Sequence, residues 1–233
     1  MRKKEMKSAA NSLPAQYANR ALQRVLPFLT SEWFGMLLKA CRVIKQHLGR
    51  ELQEGMYEIV DYDSTLELKD RRGRVATLER QQRVRFLQDN IIAYQDQAWG
   101  DGELFAAYKC SPGVPVDRYR DGFKWKVLIS LRETKQRGEV TEFHLRRKIR
   151  NGFTKPNEWL QTELSHRTRH LRIRIIFPRG RPCQRALLIE RNRNRTSELG
   201  PDHFSALVDG RQMLSWETDR PRINELYTIR WQW

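Results

Sequence analysis

Cysteine is scarce: Cys41, Cys110 and Cys183 are the three in 233 residues, far apart and odd in number. They make neither a disulfide framework nor a zinc spacing, and they suit a reducing cytosol. Long apolar runs are missing too. The start, MRKKEMK, is basic, and no apolar stretch of signal-peptide type follows it. The most apolar helical candidate, Trp33 to Leu48, is broken by Lys39, Arg42, Lys45 and Gln46, which excludes it as a membrane span. The sequence carries no glycine-rich phosphate loop, no serine elbow and no Cys–His signature. Acids are outnumbered, 28 Asp+Glu against 44 Lys+Arg, giving a formal net charge of +16. Such an excess attracts polyanions or acidic protein surfaces and says nothing about fold. The reading is a soluble cytoplasmic chain without membrane insertion, cofactor, metal or catalytic residues.

What is present is a core. Hydrophobic residues make up 39% and aromatics 10%, enough to exclude global disorder. Residues 1–12 read as a basic flexible tail. Leu22, Val25, Leu26 and Leu29 then recur at helical spacing, with Pro27 ending or kinking that helix. A second helix opens at Thr30 or Ser31 as N-cap, puts Trp33, Leu37, Cys41, Ile44 and Leu48 on one face, and stops at Gly49. Residues 13–50 are therefore expected to form a two-helix segment. Its aromatic start, Trp33, Phe34 and Leu37, is one candidate partner face.

After Gly55 the period changes from 3.6 to 2. MYEIVDY, STLELKD, RVATLERQQRVRF and NIIAYQD alternate, and WGDG closes the last of them with a turn. YKCSPGVPVDRYRDG, residues 108–122, is the longest non-periodic stretch. FKWKVLISL, VTEFHLRRKI, WLQTEL, LRIRIIF and ALLIE continue the series. Asp209-Gly210 sits between two apolar runs as a hairpin signal. The chain closes on YTIRWQW, with Tyr227, Ile229, Trp231 and Trp233 on one face. This pattern predicts a mainly β fold, an antiparallel β-sandwich of about ten short strands over residues 56–233, with a barrel as the alternative architecture.

HRTRHLRIRIIF, residues 166–177, is the loudest chemical signal. On a helix His166 and His170 would share a face and one metal ion; on a strand they lie about 13 Å apart, too far for one ion. Leu171, Ile173, Ile175 and Phe177 alternate, so the strand reading is preferred. Basic residues recur beside it: Arg146, Arg147 and Arg150 in one cluster, Arg167, Arg169, Arg172 and Arg174 in a second, Arg191, Arg193 and Arg195 in a third. If their strands were neighbours, alternation would line these arginines on one sheet face able to hold an acidic protein or phosphates. Aromatics that would stack bases fall instead on the apolar sides of the strands.

One enzyme candidate is DYDSTLELK, where Asp61, Asp63, Glu67 and Lys69 resemble the acid and Glu-x-Lys set of metal-dependent nucleases. The acids stand too close to the Glu-x-Lys to occupy a separate strand of ordinary length. The alternative is an exposed polar face alternating with Leu66 and Leu68.

The run WGDGELF, RYRDGFKWKVLISL, GEVTEFHLRRKIRNGF and WLQTELSHRTRHLRIRIIFPRGRP resembles a β-sandwich module attached to bacterial signalling and conflict (defence) system proteins. The resemblance spans residues 56–233 and implies an accessory or sensor module that works by binding, with no catalytic motif. The leading expectation is a non-enzymatic binding or regulatory protein that recognises an acidic partner protein. Sequence-independent RNA or DNA binding and a metal-dependent nuclease are the alternatives.

Overall fold

Alternation with period 2 governs most of the strands from Tyr57 onward. The computed structural model describes residues 55–233. The expected tail (1–12), the helical segment (13–50) and its Trp33, Phe34 and Leu37 face lie outside the described residues. Fourteen strands follow one another: β1 (Tyr57–Leu68), β2 (Val75–Phe86), β3 (Ile91–Ala98), β4 (Glu103–Ser111), β5 (Val114–Asp121), β6 (Lys124–Lys135), β7 (Val140–Arg150), β8 (Asn157–Glu163), β9 (Thr168–Ile176), β10 (Arg185–Glu190), β11 (Arg195–Glu198), β12 (Phe204–Ala206), β13 (Gln212–Thr218) and β14 (Leu226–Gln232). A 3-10 turn, Pro201–His203, precedes β12.

The fold is mainly β, and three details depart from expectation. Among the described residues there are fourteen strands rather than about ten: β4 and β5 occupy stretches where the sequence predicts no strand, and so does β11. β5 lies at the edge of its sheet and is almost wholly exposed, so it needs no apolar alternation and tolerates Pro115. Several strands are long: MYEIVDY and STLELKD merge into the twelve-residue β1. The pairing is not purely antiparallel, since β1 and β9 run parallel.

The strands form three sheets: a seven-stranded one in the order β12-β13-β9-β1-β2-β7-β4, a four-stranded one, β11-β10-β14-β8, and a three-stranded one, β3-β6-β5. One face of the large sheet meets both smaller sheets. Tyr94 of β3 stacks on Phe143 of β7 with ring centroids 4.1 Å apart, and Trp231 of β14 packs against Phe177 and Phe153. A single apolar core results, which includes Leu66, Leu78, Ile129, Phe143, Ile173 and Ile229. Tyr227, Ile229, Trp231 and Trp233 are all buried, as the closing alternation predicts. The Asp209-Gly210 hairpin is present, with β12 paired to β13 and Gly210 at a φ of +76°.

Candidate functional site

The arginine clusters do not combine into one basic face. β7 and β9 are separated by β1 and β2, and those two strands present acids outward. The register therefore crosses opposite charges row by row. Glu217, Arg172 and Asp63 align across β13, β9 and β1; Asp61, Arg83 and Glu142 align across β1, β2 and β7. Arg174 places one amino group 2.7 and 2.8 Å from the two oxygens of Asp63, and Arg172 bonds Glu217 at 2.6 Å. Arg169 pairs with Glu58, Arg146 with Glu79, and Arg150 with Glu103 at 3.7 Å. Cross-strand ion pairs of this kind knit the sheet face and leave little net charge on it.

Arg193 and Arg195 belong to a different sheet, where both approach Glu190. Arg167 and Arg191 are exposed and make no ion pair among the described residues. Arg147, read as part of the outward cluster, is buried. Its phase with Phe143, Leu145 and Ile149 puts it on the inner face.

The nuclease-like residues share β1 and the residue after it. Asp61 is bonded to Arg83, Asp63 to Arg174, and Glu67 to Lys69 and Arg211, so each carboxylate is engaged by a cation. The histidines diverge: His166 packs its ring 4.1 Å from that of Tyr57, whereas His170 bonds Asp219 at 2.8 Å on the outer face. Among the described residues no group of three His, Cys, Asp or Glu is placed to hold a metal ion. Burial pushes the Cys183 thiol up to about 11 and raises that of Cys110, the opposite of nucleophile activation.

A basic pole emerges at one end of the domain, where the β1–β2 turn meets the β9–β10 loop. Arg71 donates from Nε to the Arg179 carbonyl at 2.7 Å, and Arg181 donates to the Arg71 carbonyl at 2.6 Å. Arg181 also lies 3.8 Å above the Trp233 ring. Two glycines permit this closeness. Gly73, at a φ of +65°, abuts the Phe153 carbonyl, and Gly180, at +73°, lies against the Arg71 guanidinium. Arg71, Arg72, Arg74, Arg179 and Arg181 make no ion pair among the described residues. The acid in the turn, Asp70, accepts the backbone N–H groups of Arg72, Arg74 and Val75.

A second site lies inside, where the three sheets meet. Arg80 of β2, Arg147 of β7 and Asp96 of β3 are 8, 6 and 4% exposed. Arg80 donates to Asp96 at 2.5 Å and to the Gln97 carbonyl at 3.1 Å, and the Tyr108 hydroxyl donates to the other Asp96 oxygen at 3.0 Å. Arg147 reaches only the Gln97 carbonyl, at 3.5 Å. The Nε of each arginine lacks a partner. Burial, and after it the adjacent Arg80 charge, bring the Arg147 pKa down to about 10.

Besides a cleft with no free volume, shared with Asp96, Tyr108 and Arg147, Arg80 borders two cavities. One of about 280 Å³ is walled by Tyr62, Tyr94, Lys126 and His166. The other, of about 30 Å³, is shared with Arg147 and walled by Trp99, Phe153 and Trp159. Over this junction Trp99 donates to Gln161 at 2.8 Å and Gln97 to Glu163 at 3.3 Å, linking the three- and four-stranded sheets.

Neither site was singled out from the sequence, yet both left signals there. DRRGR and PRGRP are arginine-glycine turns, and Leu78, Arg80, Gln82, Val84 and Phe86 share one phase of β2.

No family model matches the chain, and no curated protein matches it. Similar solved structures include an M1 zinc metallopeptidase from Deinococcus radiodurans, with a TM-score of 0.45 and 10% identity, covering 74% of this chain and 42% of that one. A candidate protease from Parabacteroides distasonis has a TM-score of 0.44 and 10% identity, covering 76% of this chain and 40% of that one. The chain thus spans about two fifths of the length of these structures.

Proposed function

We propose that the β domain is a non-enzymatic binding module that docks the acidic surface of a partner protein through its basic pole. The observation that carries this reading is the contrast between the two arginine populations. Those on the sheet face are matched with acids row by row, whereas the five on the two converging turns at the pole make no ion pair among the described residues, although Asp70 and Asp209 stand close enough to act on Arg74 and Arg179. Backbone carbonyls hold Arg71 and Arg181 in place. Part of the ordering cost of binding is thereby met before a partner arrives. Planar guanidinium groups held in this way suit bidentate contact with carboxylates. The aromatic at the pole, Trp233, is 6% exposed and covered by Arg181, so it offers no face for a base. That favours an acidic protein over RNA or DNA. An accessory role in a bacterial signalling or conflict system, in the cytoplasm, is part of the same proposal. Among the described residues no helix is long and apolar enough to cross a membrane.

Poly-L-glutamate and poly(U) serve as the two probes, with Arg72→Glu/Arg74→Glu as the pole variant and Arg172→Gln/Arg174→Gln as the sheet-face control. The pole variant is expected to lose poly-L-glutamate affinity by about tenfold or more, a change of about 1.4 kcal/mol, while the control keeps it. Equal losses in both variants would overturn the assignment. Tighter poly(U) binding, with a salt slope that becomes shallower by about 0.7 per lost contact in the pole variant, would replace the protein reading with sequence-independent nucleic-acid binding.

A further inference from the structure

We infer that Arg147, together with Arg80, binds one small monoanion, a halide or the carboxylate head of a small acid, in the interior junction of the three sheets. This site is separate from the basic pole, and the proposal stands whether or not the pole docks a protein.

The charge count comes first. Two guanidinium groups, Arg80 and Arg147, and two carboxyl groups, Asp96 and Glu158, are more than nine-tenths buried at the junction, and Glu158 and Asp101 also line the cavity that the two arginines share. A buried charge is costly unless it is paired. Asp96 satisfies Arg80 and also receives the Tyr108 hydroxyl and the Gln97 backbone N–H at 2.8 Å. Its acceptor capacity is largely used. Arg147 keeps one long contact to a carbonyl and an edge of cation–π attraction to Phe105 at 5.8 Å.

The nearby acids on the neighbouring elements are also engaged. Glu158 of β8 accepts the Lys155 backbone N–H at 2.6 Å, and burial raises its pKa. Asp101 of the β3–β4 turn holds the Lys155 ammonium at 2.6 Å. With Asp101 paired to Lys155, and with burial favouring the neutral form of Glu158, the triad of Arg80, Arg147 and Asp96 keeps one unmatched positive charge, which a monoanion balances and a dianion exceeds.

Size and surroundings narrow the class further. The cavity that Arg80 and Arg147 share has a volume of about 30 Å³. That admits an ion of roughly one or two water volumes and excludes phosphate monoesters and nucleotides. Trp99, Phe153 and Trp159 supply apolar walls, which lower the local dielectric and strengthen an ion pair formed there. The Nε groups of both arginines are donors without partners. Because Trp99 reaches across to Gln161 above the cavity, an anion beneath it would tie the edge of the four-stranded sheet to the floor of the large one.

The test measures melting temperature on the full chain while chloride, bromide or acetate replaces sulfate at constant ionic strength. Arg147→Met is run in parallel so that general salt effects cancel. The wild type is expected to gain stability saturably over the variant. Saturation with halides alone assigns an inorganic ion; tighter acetate binding assigns a carboxylate head. Identical salt responses in the two proteins would overturn the proposal. Should Arg147→Met fail to fold, the quadrupolar line width of chloride NMR on the wild type decides. Excess broadening that bromide or acetate displaces supports the site, and its absence sinks it.

Discussion

Arg80 on β2 and Asp96 on β3 meet at 2.5 Å across two different sheets, and neither residue is more than 8% exposed. The pair is one of several polar ties between the seven-stranded and three-stranded sheets, beside the buried Tyr94–Gln82 hydrogen bond, and Tyr108 of β4 joins it from a third direction. Removing one partner of a buried pair costs far more than the pair itself contributes, because the other charge is left uncompensated. Asp96→Asn, which strands two buried arginines, is expected to lower stability by about 3–5 kcal/mol. Arg147→Met removes the surplus charge instead, and in anion-poor buffer it should be neutral or stabilising by up to about 4 kcal/mol. Urea unfolding of the two variants reads the asymmetry directly; comparable losses would refute it.

His166 supplies a pH dependence whose sign is fixed by its environment. Burial against Tyr57 lowers its pKa below the ordinary value, so the folded chain resists its protonation. As pH falls through about 6.5, the unfolded chain takes up the proton first. Stability is therefore lost downward from that pH until the folded imidazole also titrates. Melting temperatures recorded from neutral to mildly acidic pH should fall less steeply for His166→Gln than for the wild type.

β14 lies in the interior of the four-stranded sheet, paired with β10 on one side and β8 on the other. Deleting Tyr227 to Trp233 removes four buried apolar side chains, each stabilising by about 1.5–3 kcal/mol. The sum is comparable with the whole stability of an ordinary domain. The truncated chain should show no cooperative melt by circular dichroism. A soluble, cooperatively folding truncation would contradict the placement of β14.

Gly73 carries a backbone demand at the basic pole. Its φ is +65°, and a Cβ there would stand 1.6 Å from the Phe153 carbonyl oxygen. Gly73→Ala combines left-handed strain with a clash against backbone, and it should cost at least about 1–3 kcal/mol. If the turn orders the pole, the variant also weakens poly-L-glutamate binding at temperatures where it remains folded. Unchanged stability would mean that the turn relaxes freely.

Much of the fold was legible because strand alternation is a strong signal. VTEFHLRRKI places Phe143, Leu145 and Ile149 inward, and YTIRWQW buries its own apolar face. β5 was not legible, since an exposed edge strand carries no apolar phase to read. The same alternation that placed Phe143 also placed Arg147 inside. Assigning all neighbouring arginines to solvent overrode the period. Pairing of the outer arginines depends on strand order, which brings Asp63 of β1 beside Arg172 and Arg174 of β9. Local sequence holds no trace of that order. The basic pole likewise needs two turns more than a hundred positions apart to converge.

The parallel pairing of β1 with β9 joins Ile59 to Thr168 and Glu67 to Ile176. It therefore sets a timetable for synthesis. β1, β2, β7 and β4 can pair once Arg150 has left the ribosome, but the other side of β1 stays an open row of N–H and C=O groups until β9 emerges. Open edges recruit other chains, and long-range closure is slow. Nascent chains stalled between β7 and β9 would be the most aggregation-prone species this protein passes through, and its yield in a cell should depend on how quickly that interval is translated.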